Sequence, residues 1–489
     1  MQNEKLQNEN TKKSNPLHPM ALLFYLIIIT ALLTLVIPSG QFERVQVGGR
    51  TVVDPDSFQF IEKTFLTPME FVTALPRGMN AVAGFIFLVL LNGACVYLVG
   101  STKAVSGAVS AFSKKFGDDR SHWILIAQFL FFSVLGAYAG MLTVIVSFMP
   151  LTVLVALMLR YDAIVGIAVG LVGIVVGFTA GPVNVFTTGV GHDLAGLVMF
   201  SGFWYRNLAW LVMISISLPY ILYYAAKVRR DPTASVIYGL EGPLTLESMG
   251  SDAEHVDFTT THKVILCVFG ATIGLVAFGS LNWGWATLEI GAVYFHSGLL
   301  MGLIAGFRPS ELADKVIKGM IVVFPAAMAA GVARTIGILM ERTLIIDTVI
   351  FGLANPLREV YTGFVSAGML VVQTLINFVI PASIAQALAV FPIVLPLSQM
   401  LGIPQQVAIL AFQFGDGISN FIFPTVPFVI GCLMYAKVPF TRWLRFAMPL
   451  VILLWIAAII MLYYATFIGW GLDHYIVPEA AEYAANANG

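Results

Sequence analysis

Charge is scarce in this chain. Asp, Glu, Lys and Arg make up 11% of its 489 residues, against about 25% in ordinary soluble proteins. With 58% hydrophobic residues and a mean hydropathy of +0.87, a water-soluble fold is excluded and a polytopic membrane protein is expected. Cysteine is nearly absent too. Cys95, Cys267 and Cys432 lie in apolar runs and read as packed thiols, with no disulfide framework. A formal net charge of −1, without a basic block or interleaved aromatics, leaves no footprint for nucleic acid. The chain also lacks GxxxxGK[ST], HExxH and GxSxG, so nucleotide-driven transport and the commonest hydrolytic sites have no support. No enzyme activity and no cofactor are expected.

What is present is a series of apolar runs, such as Ala21–Ile37, Ala81–Val99, Leu208–Ala225 and Leu450–Ile468. Each approaches the roughly 20 residues that cross a bilayer as helix. The first run follows Lys12 and Lys13 but lacks an Ala-x-Ala cleavage site, so it reads as a retained span over 18–38 after a cytoplasmic tail, 1–17. Cations mark cytoplasmic loops. Placing Lys5, Lys12 and Lys13, Lys103 to Arg120, Arg160, Lys227 to Lys263, Arg308 to Lys318, and Lys437 to Arg445 inside puts the amino terminus inside. The acidic tail, 472–489, then lies outside.

Arg120 and Arg160 bracket a segment that must enter from the cytoplasm and return to it. It is therefore expected to be a re-entrant hairpin (121–159) with its tip at Gly136–Thr143, followed by a broken helix over 163–201. In the second half a hairpin entering from outside (362–400, tip Asn377–Gln386) leads into a second broken helix over 405–436. The region 80–226 is the first repeat, 227–262 a cytoplasmic linker, and 263–471 the transmembrane region with the second repeat. Pro150, Met158, Leu159, Val165 and Ile167 recur at identical spacing as Pro392, Met400, Leu401, Val407 and Ile409. The expected fold class is therefore an all-α polytopic membrane protein of two inverted repeats, each with a re-entrant helical hairpin and an interrupted transmembrane helix.

The two breaks, Gly181–Gly191 and Gly415–Thr425, place Gly, Pro, Asn and hydroxyl residues where hydropathy asks for helix. Unwound backbone at membrane depth persists only when buried in protein or lining a watery cavity, and a pair of such breaks points to a midplane site. Asn184, Thr187 and Thr188 would face Ser419, Asn420 and Thr425. Their oxygens suit a hard cation, and half-helix N-termini suit a carboxylate. The alternative reading is that Asn and Thr only cap half-helices. The tips add Ser383 and Gln386 to the substrate candidates, and Tyr138, Thr143 and Asn377 to the coupling-ion candidates, although Ser and Thr also back-bond within helices. Asp416 is an ionisable group at depth and joins the coupling-ion group, with a capping role as the alternative. His192 and Asp193 read as caps of the next half-helix, with a proton relay as the alternative. Arg334 needs a carboxylate or a structural acid as partner. Arg206 and Glu289 read as snorkelling side chains, and His296 as lying on a bundle face. Gly166, Gly170, Gly173 and Gly177 form a close-packing stripe. Tyr161-Asp162 and Gly415-Asp416 faintly match the two motifs of an intramembrane aspartyl protease, but Gln413 stands where that motif wants Gly.

The runs Ala411–Thr425 (AFQFGDGISNFIFPT), Ala436–Phe446 (AKVPFTRWLRF) and Leu159–Ile167 (LRYDAIVGI) resemble the YfcC-like members of the C4-dicarboxylate anaerobic carrier family, over nearly the whole chain. The resemblance implies the ion transporter superfamily fold and a bacterial source. Relatives carry Gly-Met-x-Glu-Glu at the first tip, where this chain has Gly140, Met141, Leu142, Thr143 and Val144. They carry Ser-Gly-Ser-Gly-Gln at the second, where it has Ala382, Ser383, Ile384, Ala385 and Gln386. Losing the acidic pair argues against the basic amino acid antiport ascribed to such relatives. The expected function is an ion-coupled secondary transporter of a small carboxylate-bearing metabolite, a C4-dicarboxylate or amino acid, in the cytoplasmic (inner) membrane. Na+ or H+ would be the coupling ion, and the lipid bilayer and a second copy in a homodimer would be the partners. The alternatives are a basic amino acid antiporter, a passive channel, and a non-transporting membrane sensor or scaffold.

Overall fold

In lipid only helices satisfy every backbone group within one segment, and the apolar runs fold accordingly. The computed structural model describes residues 19–47, 50–53, 57–108, 111, 122–140, 142–240, 242–245, 257–283, 285, 287–359 and 364–471. The two tails, the cations Lys114, Lys115 and Arg120, residues 121, 141, 362 and 363 of the expected hairpins, and residues 241 and 246–256 of the expected linker lie outside them.

The chain opens with α1 (Pro19–Val36), α2 (Pro68–Ala81) and α3 (Ala83–Ser101). Between α1 and α2, two short antiparallel ribbons pair 40–41 with 59–60 and 44–47 with 50–53. Long-range contacts hold this segment, such as Ser39 Oγ to Thr343 O at 2.7 Å and the Phe58 ring stacked on Phe351 at 4.1 Å. A capping box starts α2: Glu70 N donates to Thr67 Oγ1 and Thr67 N to Glu70 Oε2. Donation from Thr67 N and from the Thr67 hydroxyl holds the Glu70 carboxyl below its ordinary pKa.

The first half continues with α4 (His122–Val134), extended by a π-turn over Leu135–Ala139, then α5 (Ile145–Met158). Next come α6 (Ala163–Ala180), α7 (a π-turn over Val185–Gly189 continued by Val190–Leu194) and α8 (Phe203–Arg230). Helices α9 (Thr260–Asn282), α10 (Thr287–Ile304), α11 (Pro309–Arg342) and α12 (Ile346–Ala354) lead to the second half. That half comprises α13 (Val365–Val379), α14 (Ser383–Met400), α15 (Gln405–Ser419), α16 (Pro427–Tyr435) and α17 (Phe440–Phe467). Among the described residues, six helices are long and apolar enough to cross a membrane: α3, α6, α8, α11, α14 and α17.

The order α4–α8 recurs as α13–α17 in close numerical register. Met158 and Met400 end their helices, Arg160 (φ 64°) and Gly402 (φ 70°) turn left-handed, and α6 and α15 begin at 163 and 405. The second half-helices begin at 185 and 427. Each pair is separated by 242 positions, as are the turn bonds Tyr161 N to Ala156 O and Ile403 N to Ser398 O.

Helix α6 is wholly buried and runs between the arms α4 and α5. A Cβ on Gly166 would meet Val153 and Thr152 of α5; on Gly173 and Gly177 it would meet Phe129 and Ser133 of α4. At its start, Asp162 Oδ1 accepts from Val165 N at 3.0 Å, and Oδ2 accepts from Tyr224 and Ser235 hydroxyls at 2.8 and 2.5 Å. Burial raises the Asp162 pKa, and these hydrogen bonds oppose the rise. The segment after α8 is thus pinned to the start of α6, and Arg442 Nη1 binds it to α17 through Val236 O.

Candidate functional site

Gly181 and Pro182 make the first break. Gly181 takes φ +45°, its N–H still reaches Gly177 O at 3.0 Å, and Pro182 has no N–H with which to continue. Thr188 Oγ1 donates to the freed Gly181 carbonyl at 2.7 Å, joined by Asn184 N at 3.3 Å. Protein groups thus do what lipid cannot. Asn184, Thr187 and Thr188 are all fully buried.

The second break follows Ser419, and Pro427 restarts helix at α16. Asn377, near the end of α13, ties it down. Its Nδ2 donates to Asp416 O at 3.1 Å, Ser419 Oγ at 2.7 Å and Asn420 Oδ1 at 2.9 Å. Asn420 Nδ2 donates to Asp416 Oδ1 at 3.4 Å, and Ser383 at the start of α14 lies beside that carboxylate. Gln386 Nε2 donates to Gln373 O and Oε1 at 3.0 and 3.2 Å. Three buried oxygens here accept no hydrogen bond: Asp416 Oδ2, Asn377 Oδ1 and Gln386 Oε1. Buried acceptors of this kind suit a hard cation.

The breaks meet across α15. Gln406 pairs with His192 (Oε1 to Nε2, 3.1 Å), a Cβ on Gly191 would sit 2.9 Å from Ile409, Gln413 Nε2 donates to Thr187 Oγ1 at 3.2 Å, and Gly417 abuts Thr179. As numbers rise from 406 to 417, their partners fall from 192 to 179. The two broken helices therefore pass antiparallel.

Ser419, Asn420 and Thr425 are buried with this group, and Asn377, Gln386 and Asp416 join it; Ser383 is half-buried. Two expected coupling-ion residues stand apart. Tyr138 donates to Asn207 Oδ1 at 2.6 Å, and Thr143 is exposed. Arg334 bonds Glu341 Oε1 at 2.7 Å on the surface. Asp193, Glu289 and His296 are exposed.

Two readings need correction. Arg206, expected to snorkel, is fully buried and donates from Nη1 to Gln413 Oε1 and from Nη2 to Gln406 Oε1, the latter at 3.2 Å. His192, expected as a cap, is fully buried against Gln406. In both cases glutamines some 200 residues away hold the side chain inside. Gln406, Gln413 and Gln373 were missed. The first two carried a signal, since Gln406, Gln413, Asp416 and Asn420 recur at near-helical spacing along one face of an apolar helix.

Membrane-length helices surrounding two broken helices and a buried polar belt define a polytopic membrane transporter. The chain belongs to the C4-dicarboxylate anaerobic carrier family, whose sequence model matches residues 18–467. It is 27% identical, over 92% of its length and 96% of the relative's, to a protein of Escherichia coli (strain K12) named "Putative basic amino acid antiporter YfcC". It is 23% identical to an uncharacterized protein of Haemophilus influenzae, covering 82% of this chain and 79% of that one. Among solved structures it is similar to the YdaH transporter of Alcanivorax borkumensis (16% identity, TM-score 0.44, 93% of this chain and 100% of that one). It is also similar to MtrF of Neisseria gonorrhoeae (16% identity, TM-score 0.43, 93% and 96%).

Proposed function

We propose that this protein is an ion-coupled secondary carrier that moves a small carboxylate-bearing metabolite, a C4-dicarboxylate or an amino acid, across the cytoplasmic membrane by alternating access. The observation that carries this reading is the antiparallel register of α15 against α6 and α7. Two broken helices that enter from opposite faces and meet at their breaks give one site that either side can reach. The constant 242-residue separation of their ends supports an inverted repeat. Substrate would lie against Asn184, Thr187, Thr188, Ser419, Asn420 and Thr425, with Ser383 and Gln386 at the second tip. Asp416 and Asn377 would take the coupling Na+ or H+.

Basic amino acid antiport is the second reading, because the free Asp416 oxygen would attract a cationic substrate. The fully buried Arg206 guanidinium argues against it by repulsion. Purified protein in proteoliposomes, offered labelled succinate, glutamate, alanine, lysine and arginine under imposed sodium or proton gradients, decides among these. Saturable, gradient-dependent uptake of a carboxylate-bearing anion or zwitterion is expected. Lysine–arginine exchange alone would establish the antiporter. Linear flux without saturation would indicate a channel, and no flux through folded protein would leave a sensor or scaffold.

A further inference from the structure

Unsatisfied polar atoms lie at both ends of α15. Near Asp416 the oxygens named above lack donors, Gln373 Nε2 lacks an acceptor, and Thr425 Oγ1 of the same break lacks a partner. Toward Gln406, His192 Nδ1 lacks a partner and two donors are unmet. Arg206 Nε and Trp470 Nε1 are buried donors without acceptors, and they belong to one contact, with the guanidinium carbon 5.5 Å from the indole ring centre. Arg206 is fully buried, and among the described residues no carboxylate lies within ion-pair distance of it. Its acceptors are the neutral Gln406 and Gln413. A buried cation without a counter-ion is costly, and each unmet donor adds to that cost.

One ligand chemistry answers all three deficits: a planar, singly charged group with two acceptor oxygens. A carboxylate takes two guanidinium N–H groups in parallel. A phosphate would bring more charge than one arginine balances, and chloride would not use the fork. Gln413 already models the first half of such an exchange, since its Oε1 occupies Nη1 while its Nε2 donates to Thr187 in the first break.

We propose that Arg206 is the carboxylate anchor of the site: a substrate carboxylate takes Nε with one Nη, the Trp470 indole N–H donates to the same anion, and Gln413 is the neutral placeholder it displaces. This rests on the carrier reading above and gives it a specific charged contact. The full chain in nanodiscs would be titrated with acetate, succinate, glutamate and alanine, with their neutral amides, and with sodium chloride. The readouts are the melting temperature and the part of the tryptophan emission that Trp470→Phe removes.

At least one carboxylate should raise the melting temperature and change that emission saturably, while its amide and chloride do not. Arg206→Gln should weaken this binding about 100-fold, the usual scale for truncating one partner of a buried charged pair, and Arg206→Lys less. Should Arg206→Gln fail to fold, Gln413→Glu replaces it. Supplying the missing carboxylate internally, it should raise the melting temperature of ligand-free protein and compete with added carboxylate. Equal affinity in Arg206→Gln or Gln413→Glu, or an amide or chloride binding as well as the acid, overturns the anchor; silence across the panel in cooperatively melting protein does so as well. Gradient-driven uptake retained in Arg206→Gln would sink the anchor and leave the carrier standing. Arg206-dependent binding without any gradient-driven uptake would do the reverse.

Discussion

Asn377 and Asn420 show how few side chains hold the second break. Three of the bonds there start from one amide nitrogen, and Asn420 returns one to the Asp416 carboxylate. Asn184→Ala and Asn420→Ala are each expected to cut initial uptake by at least about tenfold, the loss of roughly one polar contact of 1.4 kcal/mol, while the protein still elutes as a folded species. Unchanged uptake in both would remove these residues from the site. Asp416→Asn keeps the shape and removes the charge on the free oxygen. Uptake in that variant should lose its dependence on the sodium or proton gradient, measured as the ratio of rates with and without it; an unaltered ratio would place coupling elsewhere. The asparagines were legible because polar residues beside Gly and Pro have little reason to occur at membrane depth. Arg206 was not, since an arginine in the first turn of a helix reads the same whether it snorkels or turns inward. Only the distant glutamines decide between the two.

The glycines of α6 show what a pattern within one element can and cannot say. Their spacing announced a close-packing face, and the packing is there. Which neighbour each glycine meets was not legible, because the π-turn over Ala168–Val172 adds a residue to the helix and shifts the stripe from α5 to α4. Gly177→Ala would drive a methyl group into the carbonyl oxygen of Ser133, a backbone atom of α4, and Gly136 makes the reciprocal approach to Ile174 O. A cost of about 1–3 kcal/mol is expected, as for other overpacked sites. Gly274 on α9 faces open space, so Gly274→Ala should be neutral or gain up to about 1 kcal/mol of helix propensity. Melting temperatures of the two variants in one detergent test this: the first falls and the second holds or rises. Equal shifts would mean that α6 does not hold α4 and α5 in fixed contact.

At the scale of the molecule, the proposed repeat rests in the sequence on five identities, and beside them the structure has matched helix ends, matched left-handed turns and an antiparallel register of α15 against α6 and α7. Sequence could not show the register, because it arises from contacts between segments more than 200 residues apart. That register constrains topology: if α6 starts at the cytoplasmic face, as Arg160 and the positive-inside rule suggest, α15 must start at the other. Gln399, exposed one residue before the end of α14, and Lys227, exposed near the end of α8, should then face opposite sides. Cys95 and Cys432 are buried and Cys267 is exposed, so a background with all three replaced by serine gives a clean start. In intact cells a membrane-impermeant maleimide should label Gln399→Cys at once and Lys227→Cys only after permeabilisation. Labelling of both from the same side would break the inverted arrangement, and with it the two-sided access on which a carrier mechanism depends.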